Sequence, residues 1–314
     1  MPNPARNHKS LALIVCGKTT GKTHAENGDY VDIYKRFLTA SLDSLKPKEQ
    51  ASSLENPNHS DNPGSQPLWQ FTIDPYDVFL DQPLPIDEKL NDYDGIIITG
   101  SPASAYDNVP WINNLVEFTK HVADTRPKIK LIGICFGHQI IARALGGECV
   151  PNSGIWEVGP TPITLTDLGK QIFGVDSINL EEMHRDHVPA DRVPPSFEIL
   201  GSTSISANQG MVRFYPASES DVPRAAPSLP PSITDGVETQ TPILNLPLLQ
   251  KIQIFTVQGH PEWHEKVLTP LVEERGKSGI IDAPTAEDAM RRRFWRNDGV
   301  PVAGPVIWSI LGVE

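Results

Sequence analysis

Along the first half of the chain, short runs that are apolar throughout alternate with segments whose apolar residues recur every three to four positions. Leu11–Cys16 (Leu-Ala-Leu-Ile-Val-Cys) reads as a buried strand. Tyr30–Leu45 puts Val31, Ile33, Tyr34, Phe37, Leu38 and Leu42 on one side of a helix. Lys46-Pro47 predicts its end, because the residue before a proline is pushed out of the α region. Gln70–Asp74 predicts a short strand, Asp94–Thr99 a strongly apolar one, and Trp111–Val122 a helix opened by Pro110. Lys130–Ile134 is a further strand, and the amphipathic helix Phe136–Leu145 leaves it and stops at Gly146-Gly147. Strands of this kind, buried on both faces and alternating with helices, predict an α/β fold: a doubly wound, mostly parallel sheet flanked by helices. Ligands of such sheets bind outside the carboxyl ends of the strands. Cys135 lies at one such end, and Gly100 and Ser101 lie at another.

The second half is richer in strands, with Thr161–Thr166, Phe197–Gly201, Gly210–Tyr215 and Lys251–Val257 predicted and no internal repeat visible. Two stretches interrupt the pattern. Residues 46–67 are rich in Asn, Ser and Pro, and residues 216–247 are dense in proline, which predicts flexible loops, the second a long surface insertion. The expected organisation is one domain over 1–314, with a core over about 11–275 and a C-terminal extension over about 276–314.

Composition narrows the function classes. A formal net charge of −12 argues against nucleic-acid binding, which needs a basic face. No apolar run approaches the roughly 18–20 residues of a membrane span, and the polar N-terminus with the short Leu11–Cys16 run does not make a signal peptide. A cytoplasmic or nucleocytoplasmic protein without membrane contact is expected. Three cysteines, Cys16, Cys135 and Cys149, do not make a disulfide framework or a zinc pattern. Cys16 and Cys149 read as small buried hydrophobes. No metal and no cofactor are expected.

Cys135 differs from both. It sits between an apolar strand and a helix, with glycines at 133 and 137, in the manner of a nucleophile elbow with sulfur in place of the serine hydroxyl. The helix N-terminus favours thiolate over thiol, and the Phe136 N–H is positioned to donate to a developing oxyanion. A thiolate nucleophile also needs a base and a group to orient it. Gln253–Trp263 ends a strand with His260-Pro261-Glu262, and alternation lets His260 and Glu262 approach from one side. The turn Gly100-Ser101-Pro102 after the 94–99 strand can present a second oxyanion donor. This is an arrangement for acyl transfer through a thioester.

These three segments together resemble the class I glutamine amidotransferase family, and most nearly stand-alone proteins similar to the glutaminase domain of GMP synthetase. Gly133-Ile134-Cys135-Phe136-Gly137-His138-Gln139 looks like the family's Gly-x-Cys-x-Gly-x-Gln elbow. Thr99–Ser104 looks like its Gly-Gly-Pro-x-Ser turn, with Ser101 in place of the second glycine, and His260-Pro261-Glu262 looks like its His-Pro-Glu. The likeness runs from about Leu11 to about Trp263 and implies a flavodoxin-like sheet. It implies Cys135 as nucleophile, His260 as general base and acid, Glu262 as its partner, and Ser101 and Phe136 as oxyanion donors. It further implies a substrate site formed by Gly100, Gln139 and a His-x-Asp segment, here His184, Arg185 and Asp186 within Met183–His187. The implied substrate is a small γ-glutamyl amide. No Ser-Gly-Gly-x-Asp-Ser nucleotide loop of a fused synthetase is present. Delivery of ammonia would therefore need a separate acceptor enzyme, and a self-sufficient hydrolase, as in related γ-glutamyl peptidases, fits slightly better. A catalytically silent binding protein of the same fold has no need of all three of Cys135, His260 and Glu262.

Other patterns carry less. Cys16–Thr23 (Cys-Gly-Lys-Thr-Thr-Gly-Lys-Thr) mimics a phosphate loop but has cysteine where the signature requires glycine. His184 and His187 with Glu181 and Glu182 read as pocket wall rather than metal ligands, and Pro261 separates His260 from His264. Arg291-Arg292-Arg293 reads as one face of a terminal helix.

Overall fold

The unbroken apolar runs become the inner strands of a seven-stranded sheet. A computed structural model describes residues 7–45, 69–216 and 242–314. The 46–67 loop and residues 217–241 of the 216–247 stretch lie outside the described residues, and the end of the latter enters a short helix, Leu246–Gln250. The strands are β1 His8–Val15, β2 Gln70–Asp77, β3 Gly95–Ile98, β4 Lys130–Ile134, β5 Val150–Pro151, β6 Glu157–Leu165, β7 Ser177–His184, β8 Asp186–His187, β9 Glu198–Ile199, β10 Gly201–Ser202, β11 Gly210–Phe214 and β12 Ile252–Val257.

The main sheet runs β2-β1-β3-β4-β12-β11-β9. The first five are parallel, and β11 pairs antiparallel with both β12 and β9. In chain order the parallel strands therefore lie 2-1-3-4-5, the doubly wound arrangement of flavodoxin-like folds. Each inner strand serves two cores because successive side chains point to opposite faces. From β1, Leu11, Leu13 and Val15 join the core containing Tyr34, Phe37 and Leu38 of the helix Tyr30–Ser44. Ala12 and Ile14 join the other core, with Ile112 and Leu115 of the helix Pro110–Thr125 and Ile140 and Ile141 of the helix Phe136–Ala144.

Two features depart from the sequence-based picture. A second sheet, β10-β6-β7, is antiparallel; the predicted strand 161–166 is only the end of β6, and β7 was not expected. The residues after 275, expected to extend beyond the core, pack into it. Val306, Ile307, Trp308 and Ile310 of the helix Gly304–Ile310 belong to the first core, and Trp308 Nε1 donates to Leu38 O at 3.1 Å. Arg292 ends the helix Ala283–Arg292 and donates to Val158 O at 2.7 Å, so the arginine run ties that helix to β6. Among the described residues, no helix is long and apolar enough to cross a membrane.

Candidate active site

β4 ends at Ile134 and the next helix begins at Phe136, so the chain turns on Cys135 alone. Cys135 adopts φ +53° and ψ −105°, a conformation L-residues rarely hold. Glycines make the turn this tight. A Cβ on Gly133 would stand 2.7 Å from the Gly137 backbone, and one on Gly137 would overlap the Ile98 carbonyl. Cys135 N donates to Val257 O at 2.9 Å, tying the elbow to the end of β12.

Past β12 the chain carries His260 back to the elbow. Its N–H donates to Glu181 O at 2.8 Å, and its Nδ1 lies 2.8 Å from Glu262 Oε1. The ring faces Cys135 across the cavity wall they share and stacks on Trp263 with centroids 3.5 Å apart. Gly100 allows this approach, because a Cβ there would stand 2.7 Å from His260 Cε1. Burial opposes a charge on the His260 ring. The neighbouring Cys135 and Glu262 outweigh it through charge and hydrogen bonding, and push the ring up to about 10. The ring is therefore an imidazolium at neutral pH.

The other oxyanion candidates occupy the expected elements. Phe136 opens its helix, where first-turn N–H groups have no intrahelical partner. Ser101 follows β3, and its Oγ accepts from Ala103 N at 3.1 Å. Positive φ among described non-glycine residues is confined to Asp81, Cys135, Ser153 and Ser196, so a serine fits this turn without backbone strain.

A cavity of about 350 Å³ opens over Cys135, walled by Lys18, Tyr30, Pro102, Met183, Trp263 and Arg275 among others. The segment that mimics a phosphate loop is part of this wall through Lys18, Thr19, Thr20 and Thr23. Gln139, His184, Arg185 and Asp186 are not. Gln139 is buried, and its Nε2 donates to Asp186 O at 2.9 Å and to Gln258 Oε1 at 3.0 Å. His184 is buried with Nε2 3.2 Å from carboxylates of both Glu157 and Glu182, which hold it well above the ordinary histidine range despite burial. Its Nδ1 lies 3.0 Å from Asp186 O. Arg185 is exposed over the Trp156 ring, and Asp186 accepts from Ser104 Oγ at 2.6 Å. The predicted substrate segment is thus held in internal pairs beside the site, apart from the cavity wall.

Two residues were missed. Gln258 Nε2 donates to Cys135 Sγ at 3.6 Å. Its position two residues before His260 at a strand end was the available signal, since i and i+2 share a face. Arg275 comes from the helix Glu265–Lys277, and no sequence motif marks it. A second cavity of about 500 Å³, lined by Trp156, Thr161, Arg292 and Trp295 among others, holds none of the candidate residues.

The remaining patterns resolve simply. Burial pushes the thiols of Cys16 and Cys149 up, which keeps them unreactive. His264 caps its helix by accepting from Lys266 N at 3.2 Å. Among the described residues, no group of three or more His, Cys, Asp or Glu is arranged to hold a metal ion.

Comparison with known proteins points one way. The family described as Glutamine amidotransferase class-I matches residues 69–213. A glutamine amidotransferase-like protein of Schizosaccharomyces pombe is 33% identical over 266 residues, covering 84% of each chain. Gamma-glutamyl peptidase 2 of Arabidopsis thaliana is 33% identical over 220 residues, covering 68% of this chain and 72% of its own. A glutamine amidotransferase structure from Thermotoga maritima superposes with a TM-score of 0.57 at 14% identity, covering 98% of this chain and 99% of its own, a likeness of fold.

Proposed function

This chain belongs to the class I glutamine amidotransferase family, and we propose that it cleaves a γ-glutamyl amide through a thioester on Cys135. The Cys135 thiolate attacks the γ-carbonyl carbon, and the oxyanion that forms is met by the N–H groups of Phe136 and Ser101. As the tetrahedral intermediate collapses, the C–N bond breaks and the departing amine takes a proton from His260. Water then attacks the thioester, His260 takes the water's proton, the C–S bond breaks, and glutamate and the thiolate are released. Glu262, 2.8 Å from Nδ1, holds the ring's orientation and its charge.

The observation that carries this reading is the convergence of the Cys135 elbow and the Glu262-paired His260 at the carboxyl ends of β4 and β12. A gamma-glutamyl peptidase among the relatives supports hydrolysis as the outcome. The test is turnover of glutamine, a γ-glutamyl dipeptide and a glutathione conjugate, with release of ammonia and of free glutamate followed separately. Cys135→Ala is expected to lose at least about 10³-fold, His260→Ala nearly as much, and Glu262→Ala less. Wild-type-like rates in Cys135→Ala would refute the assignment. Ammonia from glutamine as the dominant product would make the protein a glutaminase that serves a separate acceptor enzyme.

A further inference from the structure

The cavity over Cys135 has more than an amide to accommodate. The helix Glu265–Lys277 contributes Leu271, Glu274 and Arg275 to its wall. Arg275 is half-buried, and its guanidinium lies 5.8 Å from the centroid of the Trp156 ring, which Arg185 also approaches at 5.6 Å. Among the described residues, no carboxylate lies at ion-pairing distance from Arg275. Tyr30, Cys135 and the exposed Glu274, its neighbour in sequence, act on it only through space. A cation withdrawn from water without a paired anion is costly, and burial works against its charge here. Lys18, exposed on the loop after β1, adds a second positive charge to the same wall.

Ammonia uses none of this. It is one heavy atom, it becomes a cation on protonation, and a positively charged wall repels it. A carboxylate suits the wall, because the planar guanidinium fork matches it in two parallel hydrogen bonds. Ile33, Phe79, Leu271 and Ile280 supply apolar wall for a side chain carried alongside it. Gln139, which the family resemblance assigns to the glutamyl end, and 184–186, which it assigns to the substrate pocket, lie off this wall.

Resting on the thioester reading above, we propose that Arg275 binds the carboxylate of the leaving amine, so that the preferred substrates are γ-glutamyl amino acids and peptides rather than free glutamine. The contact leaves the chemistry unchanged: the C–N bond still breaks to an amine protonated by His260, with its carboxylate held on Arg275 throughout.

The experiment compares γ-glutamyl-leucine, γ-glutamyl-leucinamide and glutamine as substrates of the full chain. The wild type is expected to favour the free carboxylate over its amide by about tenfold or more in kcat/KM. Arg275→Met is expected to bring that ratio to within about twofold, and Arg275→Lys to keep part of it. A wild-type ratio near one overturns the proposal. So does a ratio that survives in Arg275→Met while all three substrates slow together, because Arg275 would then serve the thiolate or the glutamyl end. Equilibrium binding of the two leucine compounds to Cys135→Ala, with and without Arg275→Met, reads the same preference without turnover. Failure of the thioester reading leaves that binding difference in place, and failure of the Arg275 proposal abolishes it.

Discussion

At the scale of single residues, the site depends on atoms that are missing as much as on those present. Gly100 has no Cβ where one would stand 2.7 Å from the His260 ring, so Gly100→Ala must displace the imidazole or the turn. A shift of that kind is expected to lower kcat/KM by about 10²-fold, with the midpoint of urea unfolding little changed. Retention of wild-type kcat/KM would mean that the ring has room the structure does not give it. The His260 charge makes a second prediction. Its pushed-up value of about 10 lies above the ordinary 6.5, so folding favours the protonated ring. The stability it contributes is complete below about 6.5 and is lost as pH rises toward 10. Proton donation to the leaving amine should fail over the same alkaline limb. Glu262→Gln removes one of the charges that raise the ring, and should move the limb of the pH–kcat/KM profile to lower pH while Cys135 keeps part of the shift. A limb that stays in place would show that Glu262 does not hold the proton. Cys135, His260 and Glu262 were legible in the sequence, because a sharp turn and a strand end each demand particular residue types. Gly100 was singled out there for substrate binding, and its closeness to the His260 ring was not foreseen. Arg275 was not legible, since it reaches the cavity from a helix whose sequence carries no mark of the packing that brings it there.

At the scale of elements, periodicity was a good guide wherever burial follows hydrophobicity. β4 spans the predicted Lys130–Ile134, and the helix Tyr30–Ser44 differs from its predicted span by a single residue. β7 escaped for the opposite reason. Its Ser-Ile-Asn-Leu-Glu-Glu-Met-His sequence reads as polar, yet Glu181, Glu182 and His184 are all buried. Glu157 and Glu182 flank His184, and burial raises Glu182 and pushes Glu181 up to about 7. Ile178, Leu180 and Met183 are buried apolar positions of β7. The buried Glu181, Glu182 and His184 between and beside them, paired with Asn297, Glu157 and one another, break the pattern that periodicity reads. The same pairing explains why His184 and Asp186, predicted to touch substrate, are turned inward. Gly259 follows the same logic: a Cβ there would collide with the Glu182 carboxylate, so β7 packs directly behind the residue that precedes His260.

At the scale of the whole molecule, the parallel order and two-sided core followed from the apolar runs, because a strand buried on both faces must be covered on both. The C-terminal residues did not follow. The resemblance ends near Trp263 and the chain beyond is mixed in polarity, yet Trp308 is fully buried and packs its ring 5.2 Å from that of Phe71. What the fold achieves is to bring the ends of β3, β4 and β12 together from distant parts of the sequence, so that one strained cysteine faces one charged imidazole. Labelling with diazo-oxo-norleucine followed by peptide mapping reads that convergence without any choice of substrate. A single adduct on Cys135 is expected, with Cys16 and Cys149 untouched and no adduct in Cys135→Ala. An unlabelled Cys135, or an adduct carried by either of the other two cysteines, would contradict that convergence.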